Sequence, residues 1–190
     1  MRWLLLFLLP ILFLGGCEDL QTDNNPAVQR KLDWGTTPGK ALESLAWVWT
    51  ENREIDNYSV LLTSDYRFYW DPNDVGDVIP QTGYQIPQSW DRATDIQATG
   101  NMFAQAYDLS LEVLNAGDYD DPDIPGDSYT ANNVQLQFYL WSDGPDSAVL
   151  ASGPCDFEFE KVDGNWLISA WYDRTGGPGS IGILRAQYLQ

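Results

Sequence analysis

The chain has 190 residues, with 28 acidic residues against 10 basic ones and a net charge of −18. It contains no histidine and only two cysteines, Cys17 and Cys155. This composition excludes Ser-His-Asp and Cys-His catalysis and most zinc sites, and the negative charge argues against nucleic-acid binding.

The N-terminus has the form of a secretory leader. Arg2 precedes an apolar run over residues 3–16, which is shorter than the roughly 20 residues that a helix needs to cross a bilayer. Leu14-Gly15-Gly16-Cys17 follows and resembles the lipobox of bacterial lipoproteins. The resemblance implies a signal peptide over residues 1–16, a lipid on Cys17, and anchoring in the cell envelope. An ordinary secretory leader with an incidental cysteine is the alternative.

A polar segment over residues 17–35 is predicted to be a flexible tether. In Gram-negative lipoproteins an aspartate after the lipidated cysteine often signals inner-membrane retention. Glu18 stands there, which favours the outer membrane, facing the periplasm. The mature chain would carry a net charge of −19 and form a single domain over residues 36–190. Cys155 would have no disulfide partner and is expected to be a small buried residue.

The first half of the domain has helical patterns. Thr37 before Pro38 predicts a capped helix start, and Ser89 is the expected cap of a later helix. The predicted elements are, in chain order, a helix from Pro38 to about Trp49, a short helix over Glu54–Leu62, a strand over Tyr66–Trp70, a long loop over Asp71–Pro87 and a helix over Trp90–Ala106.

The second half alternates apolar and polar residues, which indicates strands with one buried face. The predicted strands are Leu109–Val113, Val134–Leu140, Cys155–Phe159 and Trp166–Ala170. A tight turn at residues 162–165 joins the last two, and Ile181–Tyr188 is a further strand or terminal segment. Helices followed by antiparallel strands predict an α+β fold, with the helices packed on one face of a curved mixed or antiparallel sheet.

Three stretches resemble the NTF2-like superfamily, which includes SnoaL-like and ketosteroid-isomerase-like proteins. They are the helix opening at Thr37-Pro38, the segment from Asn52 to Phe68, and Gly164-Asn165-Trp166 with Trp171. The resemblance covers about residues 36–175 and leaves the tail after Arg174 outside the common core. It implies a cone that encloses an apolar pocket, but no single activity.

Enzymes of that superfamily commonly use a buried aspartate, often with a tyrosine. The resemblance therefore makes Tyr58, Asp65 and Asp91 the candidate catalytic residues, and Tyr58, Tyr69 and Trp90 the candidate ligand-binding residues. Tyr58 and Trp90 also have the size of ordinary core residues. No spacing in the sequence singles out one of these residues.

Residues 118–127 hold five aspartates, of which Asp118, Asp120, Asp121 and Asp123 form a weak calcium candidate. The segment fails the EF-hand template, and a solvated acidic loop is the alternative. No cofactor is expected.

The leading hypothesis is a non-catalytic, membrane-anchored envelope lipoprotein that binds a small apolar ligand or a protein partner. One alternative is a histidine-free hydro-lyase or isomerase that uses Asp and Tyr in the cone. Another is a structural envelope protein that forms a homodimer through the sheet face. A cone filled by side chains, with no exposed apolar patch, would argue against the leading hypothesis, whereas an aspartate with few charged neighbours at the base of an open cavity would favour the enzyme.

Overall fold

The structure, a computed structural model, describes residues 34–176 and 179–189. The predicted signal peptide, Cys17 and most of the predicted tether lie outside the described residues. Within those residues, the helices are all too short or too polar to span a bilayer.

The described residues form four α-helices. They are α1 (Pro38–Trp47), α2 (Ile55–Ser59), α3 (Arg92–Gln105) and α4 (Ile181–Ala186). Helix α1 begins as predicted, because the Thr37 side chain accepts a hydrogen bond from the backbone N–H of Lys40 at 3.1 Å. It continues into a π-helical stretch, Val48–Asn52, here called the π segment. A 3₁₀ turn spans Ala116–Tyr119.

Six strands form the main sheet, and two short ones form a separate hairpin. The main-sheet strands are β1 (Leu62–Tyr69), β4 (Ser89–Asp91), β5 (Asp108–Val113), β6 (Ser128–Trp141), β7 (Ala148–Val162) and β8 (Asn165–Asp173), and the hairpin consists of β2 (Val78–Ile79) and β3 (Tyr84–Gln85). The strand order is β4-β1-β8-β7-β6-β5. Only β1 and β8 run parallel among these neighbours.

The sheet is irregular at three points, which lie in the β1–β8, β6–β7 and β7–β8 pairings. In β6 the register shifts between Ala131 and Val134, and Asn133 there has a φ of 62°. Such bulges bend a strand and increase its twist. Alternate residues of the long strands are buried, including Leu136, Phe138 and Phe157, and α1 and α3 pack against the sheet. The predicted α+β fold is confirmed.

The hairpin predicted between the last two strands is also confirmed. Asp163 and Gly164 have φ angles of 51° and 86°, and two consecutive positive φ angles characterise the type I′ turn that suits a two-residue hairpin.

Several boundaries differ from the predictions. The second helix is only Ile55–Ser59, and β1 already begins at Leu62. The predicted loop over Asp71–Pro87 contains β2 and β3. The predicted helix from Trp90 begins at Arg92 instead, because Trp90 is paired with Phe68 in the sheet.

Both ends of the domain also differ. Trp34 and Gly35, assigned to the tether, pack on the fold: the Gly35 carbonyl accepts a hydrogen bond from the Trp166 N–H at 2.6 Å. The tail does not form the strand considered for Ile181–Tyr188. It forms helix α4, whose N-terminal N–H of Ile183 is capped by the Ser180 hydroxyl at 3.2 Å.

Candidate functional site

A buried polar cluster lies between the helices and the sheet, in the interior here called the cone, and is centred on Asp95 of α3. The side chain of Asp95 is fully buried. Its Oδ2 accepts a hydrogen bond from the Tyr58 hydroxyl at 2.6 Å, and its Oδ1 lies 3.4 Å from the Tyr66 hydroxyl. We call Tyr58, Tyr66, Asp95, Thr99 and Arg185 the cone cluster.

Arg185 enters this cluster from the C-terminal helix α4 and is also fully buried. Its Nη2 forms an ion pair with Asp95 Oδ1 and donates to Thr99 Oγ1 at 2.8 Å. The contact joins residues that are 90 positions apart in the chain. A charged pair can be kept in a dry interior only when its members neutralise each other.

Four aromatic rings surround the Arg185 guanidinium, and we call them the aromatic box. The distances from Cζ to the ring centroids are 4.8 Å for Phe68, 5.3 Å for Trp49, 5.4 Å for Trp90 and 5.5 Å for Trp171. A cation within about 6 Å of such a ring face is attracted by the ring quadrupole. Within the described residues, Arg185 Nε and Nη1 have no hydrogen-bond partner.

The electrostatics keep Arg185 and the two tyrosines of this cluster in one protonation state. Burial lowers the pKa of Arg185, but the charge of Asp95 and the neighbouring tyrosines outweigh it and raise the pKa overall. Burial raises the pKa of Tyr58 and of Tyr66, and the charge of Asp95 raises both further. The guanidinium is therefore charged and both phenols are neutral at physiological pH.

A second buried carboxylate, Asp173 at the end of β8, fixes the tail. Its Oδ1 accepts from the Thr175 N–H and hydroxyl at 3.0 and 2.6 Å, and its Oδ2 accepts from the Gly182 N–H at 2.7 Å. Burial raises the pKa of Asp173, although these hydrogen bonds oppose the shift. A Cβ on Gly182 would lie 2.7 Å from the Trp70 ring, so α4 approaches the sheet closely and holds Arg185 in place.

The interior of the cone is therefore filled by the protein's own side chains. Arg185, Asp95, Tyr58 and the rings of Trp49 and Trp171 are all fully buried. The apolar pocket that the family resemblance placed there is occupied, and the tail that this interpretation left outside the core is what occupies it.

An open cleft of about 490 Å³ lies elsewhere, beside the edge strand β5. We call it the edge cleft. Its lining comes from Trp34, α1, the π segment and β5, and comprises Trp34, Lys40, Glu43, Ser44, Ala46, Trp47, Thr50, Glu51, Ser110, Leu111, Glu112 and Val113. The half-buried rings of Trp34 and Trp47 form one wall, with centroids 5.9 Å apart.

The charges of the edge cleft are unbalanced toward the negative. Lys40 is already committed to Glu43, at 3.0 Å, and to Asp120, at 3.6 Å. Glu51 and Glu112 are exposed and form no ion pair with another described residue. The cleft therefore combines an aromatic wall with two carboxylates, Glu51 and Glu112, that pair with no cation in the described part of the chain.

The backbone edge of β5 is protected where it borders the cleft. The Thr50 hydroxyl bonds to both the N–H and the C=O of Leu111, at 3.0 and 3.2 Å. Arg53 Nη2 donates to the C=O of Leu109 at 3.2 Å and pairs with Asp108. These contacts occupy both backbone groups of Leu111 and the carbonyl of Leu109, which an added strand would need, so this part of the cleft favours side chains over strand addition.

The structure brings only two of the predicted site residues together. Tyr58 and Trp90 both lie in the cone, in the cone cluster and the aromatic box respectively. Asp65 is exposed on β1. Asp91 is exposed and caps α3 through the Thr94 N–H at 2.9 Å. Tyr69 stacks on Tyr172, with ring centroids 4.5 Å apart and nearly parallel planes.

The calcium candidate is not supported. Among the described residues there is no group of three or more acidic or cysteine side chains that could hold a metal ion. The carboxylates of the loop turn to separate partners: Asp120 accepts from the Thr37 hydroxyl, and Asp121 accepts from the Asp123 N–H at 2.8 Å. Asp118 lies in the 3₁₀ turn and belongs to no such group.

Cys155 is fully buried, as expected. Burial raises the pKa of its thiol well above the usual value, and the charge of Asp173 raises it further. A thiol of this kind is a poor nucleophile at neutral pH.

The chain matches no protein-family model and no curated protein in sequence. Among solved structures it is similar to a "putative aromatic ring hydroxylase" from Novosphingobium aromaticivorans (16% identity, 80% of this chain and 94% of that chain, TM-score 0.55). It is also similar to the Kfla4162 protein from Kribbella flavida (15% identity, 85% and 99%, TM-score 0.54). A Catenulispora acidiphila protein described as having a ketosteroid isomerase-like fold matches with 13% identity, over 78% and 91%, at a TM-score of 0.45.

The described residues form helices packed on a curved, mostly antiparallel sheet, which is the fold class that the resemblance to NTF2-like proteins implied. The likeness to the first two structures, at identities near 15%, concerns this fold and says nothing about activity.

Proposed function

We propose that this protein is a lipid-anchored, non-catalytic binding domain of the cell envelope, and that it holds a basic, apolar segment of a partner protein in the edge cleft. The observation that carries the proposal is the aromatic wall of Trp34 and Trp47 beside the exposed carboxylates of Glu51 and Glu112. A lysine or arginine packs its apolar stem on aromatic surface while its charged head meets a carboxylate.

The size of the cleft agrees with such an occupant. A volume of about 490 Å³ lies within the roughly 300–1,000 Å³ of ordinary ligand sites. The protected backbone of β5 favours insertion of side chains over pairing of strands. The chain's net charge of −18 adds long-range attraction for a basic partner.

The cone supports neither the binding of a small apolar ligand nor the isomerase alternative. A small apolar ligand would have to displace the fully buried Arg185. The isomerase alternative needs a carboxylate that faces substrate, but the oxygens of Asp95 are committed to Tyr58, Tyr66 and Arg185. Only the Tyr58–Asp95 hydrogen bond favours catalysis, and the tail separates it from solvent, because both residues and Arg185 are fully buried.

A photo-crosslinker in the cleft tests the proposal. Replacing Val113, a half-buried residue of the cleft lining, by p-benzoyl-phenylalanine in the full chain is expected to give one dominant adduct in cells. The crosslinked peptide of the partner should carry Lys or Arg next to an apolar residue. The matched control is the same replacement at Val162, which is 41% exposed and lies at the end of β7.

The charge-reversal variant Glu112→Lys is expected to abolish the Val113 adduct and leave the protein folded. Equal adducts from positions 113 and 162, or an acidic crosslinked peptide, would refute the assignment of the cleft. An adduct with a second copy of this chain would favour the dimer hypothesis instead.

The anchor has its own test, since the chain has only two cysteines. Labelled palmitate is expected to be incorporated by the wild type and by Cys155→Ser, but not by Cys17→Ser. In a Gram-negative host, Glu18→Asp should shift the labelled protein toward the inner membrane. Labelling that survives Cys17→Ser would contradict the lipoprotein assignment.

A further inference from the structure

The Arg185 guanidinium carries more N–H donors than its surroundings offer hydrogen-bond acceptors. A guanidinium presents five N–H donors, and arginine sites usually meet them with paired oxygen acceptors. Here only Nη2 meets oxygens, those of Asp95 and Thr99. Nε and Nη1 have no hydrogen-bond partner within the described residues, and aromatic rings surround the group.

The site itself belongs to the body of the domain. Every wall residue comes from an element that precedes the tail: Trp49 from the π segment, Phe68 from β1, Trp90 from β4, Asp95 and Thr99 from α3, and Trp171 from β8. The tail supplies the cation, Arg185, and packs Gly182 against Trp70 and Phe68. Tyr58 and Tyr66 hold the Asp95 carboxylate through their hydroxyls and so fix its orientation without help from Arg185.

We propose that the interior of the cone is a binding site for a small organic cation, and that Arg185 occupies this site in cis. The site supplies one carboxylate and one hydroxyl for an N–H group, and four ring faces for the rest of the ligand. This combination selects a weakly hydrated cation such as guanidinium over a strongly hydrated one, because ring faces attract positive charge but cannot replace the hydrogen bonds of a tightly bound water shell. It rejects anions, which Asp95 repels.

The test removes the Arg185 side chain and supplies a free cation in its place. The full chain with Arg185→Ala is titrated with guanidinium chloride at low-millimolar concentration, and melting temperature and tryptophan fluorescence are followed. Urea is the control ligand, because it has nearly the shape of guanidinium but no charge. Guanidinium is expected to raise the melting temperature of the variant saturably and to change the fluorescence contributed by Trp49, Trp90 and Trp171, and urea is not.

The wild type and one double variant locate the response. The wild type is expected to show no saturable response over the same range, because Arg185 competes as a tethered ligand. The double variant Asp95→Asn/Arg185→Ala is expected to bind guanidinium about tenfold to 100-fold more weakly than Arg185→Ala, which corresponds to the loss of a hydrogen bond to a charged group.

If Arg185→Ala does not fold alone, the yield of refolded protein becomes the measurement. Guanidinium in the refolding buffer is then expected to restore folding, and urea at the same concentration is not. Equal effects of guanidinium and urea, an equal response of the wild type, or an undiminished response of the double variant would each overturn the proposal. None of these results depends on the edge cleft, so failure of this proposal would leave the crosslinking result at Val113 unaffected.

Discussion

The interior of the cone and the edge cleft are built from the same components and differ in their access to water. Both combine tryptophan rings, carboxylates and one basic side chain. In the cone the paired side chains of Asp95 and Arg185 are 0% exposed. In the cleft the side chains of Lys40 and Glu43 are 34% and 51% exposed. The comparison therefore shows how desolvation changes an ion pair that lies beside tryptophan rings.

Desolvation makes an ion pair much more costly to break than the same pair in water. An exposed ion pair contributes about 0–1 kcal/mol, because water screens it and offers both partners an alternative. A buried pair has no such alternative, and removal of one partner leaves an uncompensated charge. The cone cluster thus locks the tail to α3. In the cleft, Glu51 and Glu112 form no ion pair with another described residue and are available to a partner.

The largest expected effect comes from removing the cation in each region. Arg185→Met should lower the free energy of unfolding by about 3–5 kcal/mol, since it leaves the Asp95 carboxylate unpaired in the interior. Lys40→Met, the same substitution in the cleft, should change it by less than about 0.5 kcal/mol. Urea unfolding of the two variants and the wild type measures both values.

The double variant Asp95→Leu/Arg185→Met provides the control for this prediction. Removing both charges is expected to recover part of the stability lost in Arg185→Met, because no unpaired charge remains. Similar losses for Arg185→Met and Lys40→Met would show that the two regions do not differ in the way described.

The next effect concerns the close packing of the tail. Gly182→Ala would place a Cβ 2.7–2.8 Å from the Trp70 ring and 3.1 Å from Phe68, and overpacking of this kind costs about 1–3 kcal/mol. The exposed Gly117, at which a Cβ would meet nothing within 4 Å, is the matched control. Gly117→Ala should stay within about 0.5 kcal/mol of the wild type in thermal unfolding. A neutral Gly182→Ala would mean that α4 has room to shift.

The buried tyrosines predict that the protein loses stability at high pH. Because the folded-state pKa of Tyr58 is raised above the ordinary value of 10.0 by burial and by Asp95, the folded protein keeps a proton that the unfolded chain releases. Stability is therefore lost as the pH rises above about 10. Tyr58→Phe should make this loss shallower by about 1.4 kcal/mol per pH unit.

Urea unfolding between pH 9 and 11 measures the slope for the wild type and for Tyr58→Phe. Tyr107→Phe controls for the loss of an exposed hydroxyl, since Tyr107 is 59% exposed. Parallel slopes for the wild type and Tyr58→Phe would contradict the closed cone, because a hydrated Tyr58 would release its proton in the folded state as well.

The fold was predictable because its signals are local. Alternating residues mark β5 to β8, Thr37 and Pro38 mark the start of α1, and the turn at Asp163-Gly164 fixes the last hairpin. Each of these signals lies within a few residues, where periodicity and turn chemistry act. The helix Ile181–Ala186 was missed because six mostly apolar residues are too few to distinguish a helical period from a strand.

The cone cluster and the aromatic box were predictable only in part. Tyr58 and Trp90 were candidates because of their type and position, but Asp95 and Arg185 were not. Their pairing spans 90 residues, and no local spacing encodes such a contact. One signal was available: Arg185 is the single charged residue of an otherwise apolar segment, and a buried arginine requires a buried carboxylate.

The smallest expected effect lies in the edge cleft and decides whether it is a binding surface. Glu112→Gln keeps the shape of the side chain and removes its charge. Since Glu112 is exposed and forms no ion pair within the described part of the chain, the free energy of unfolding should change by less than about 0.5 kcal/mol. The Val113 crosslink to a basic partner should nevertheless decrease. A loss of more than about 1 kcal/mol in urea unfolding would assign Glu112 a structural role, and the cleft would then resemble the cone rather than contrast with it.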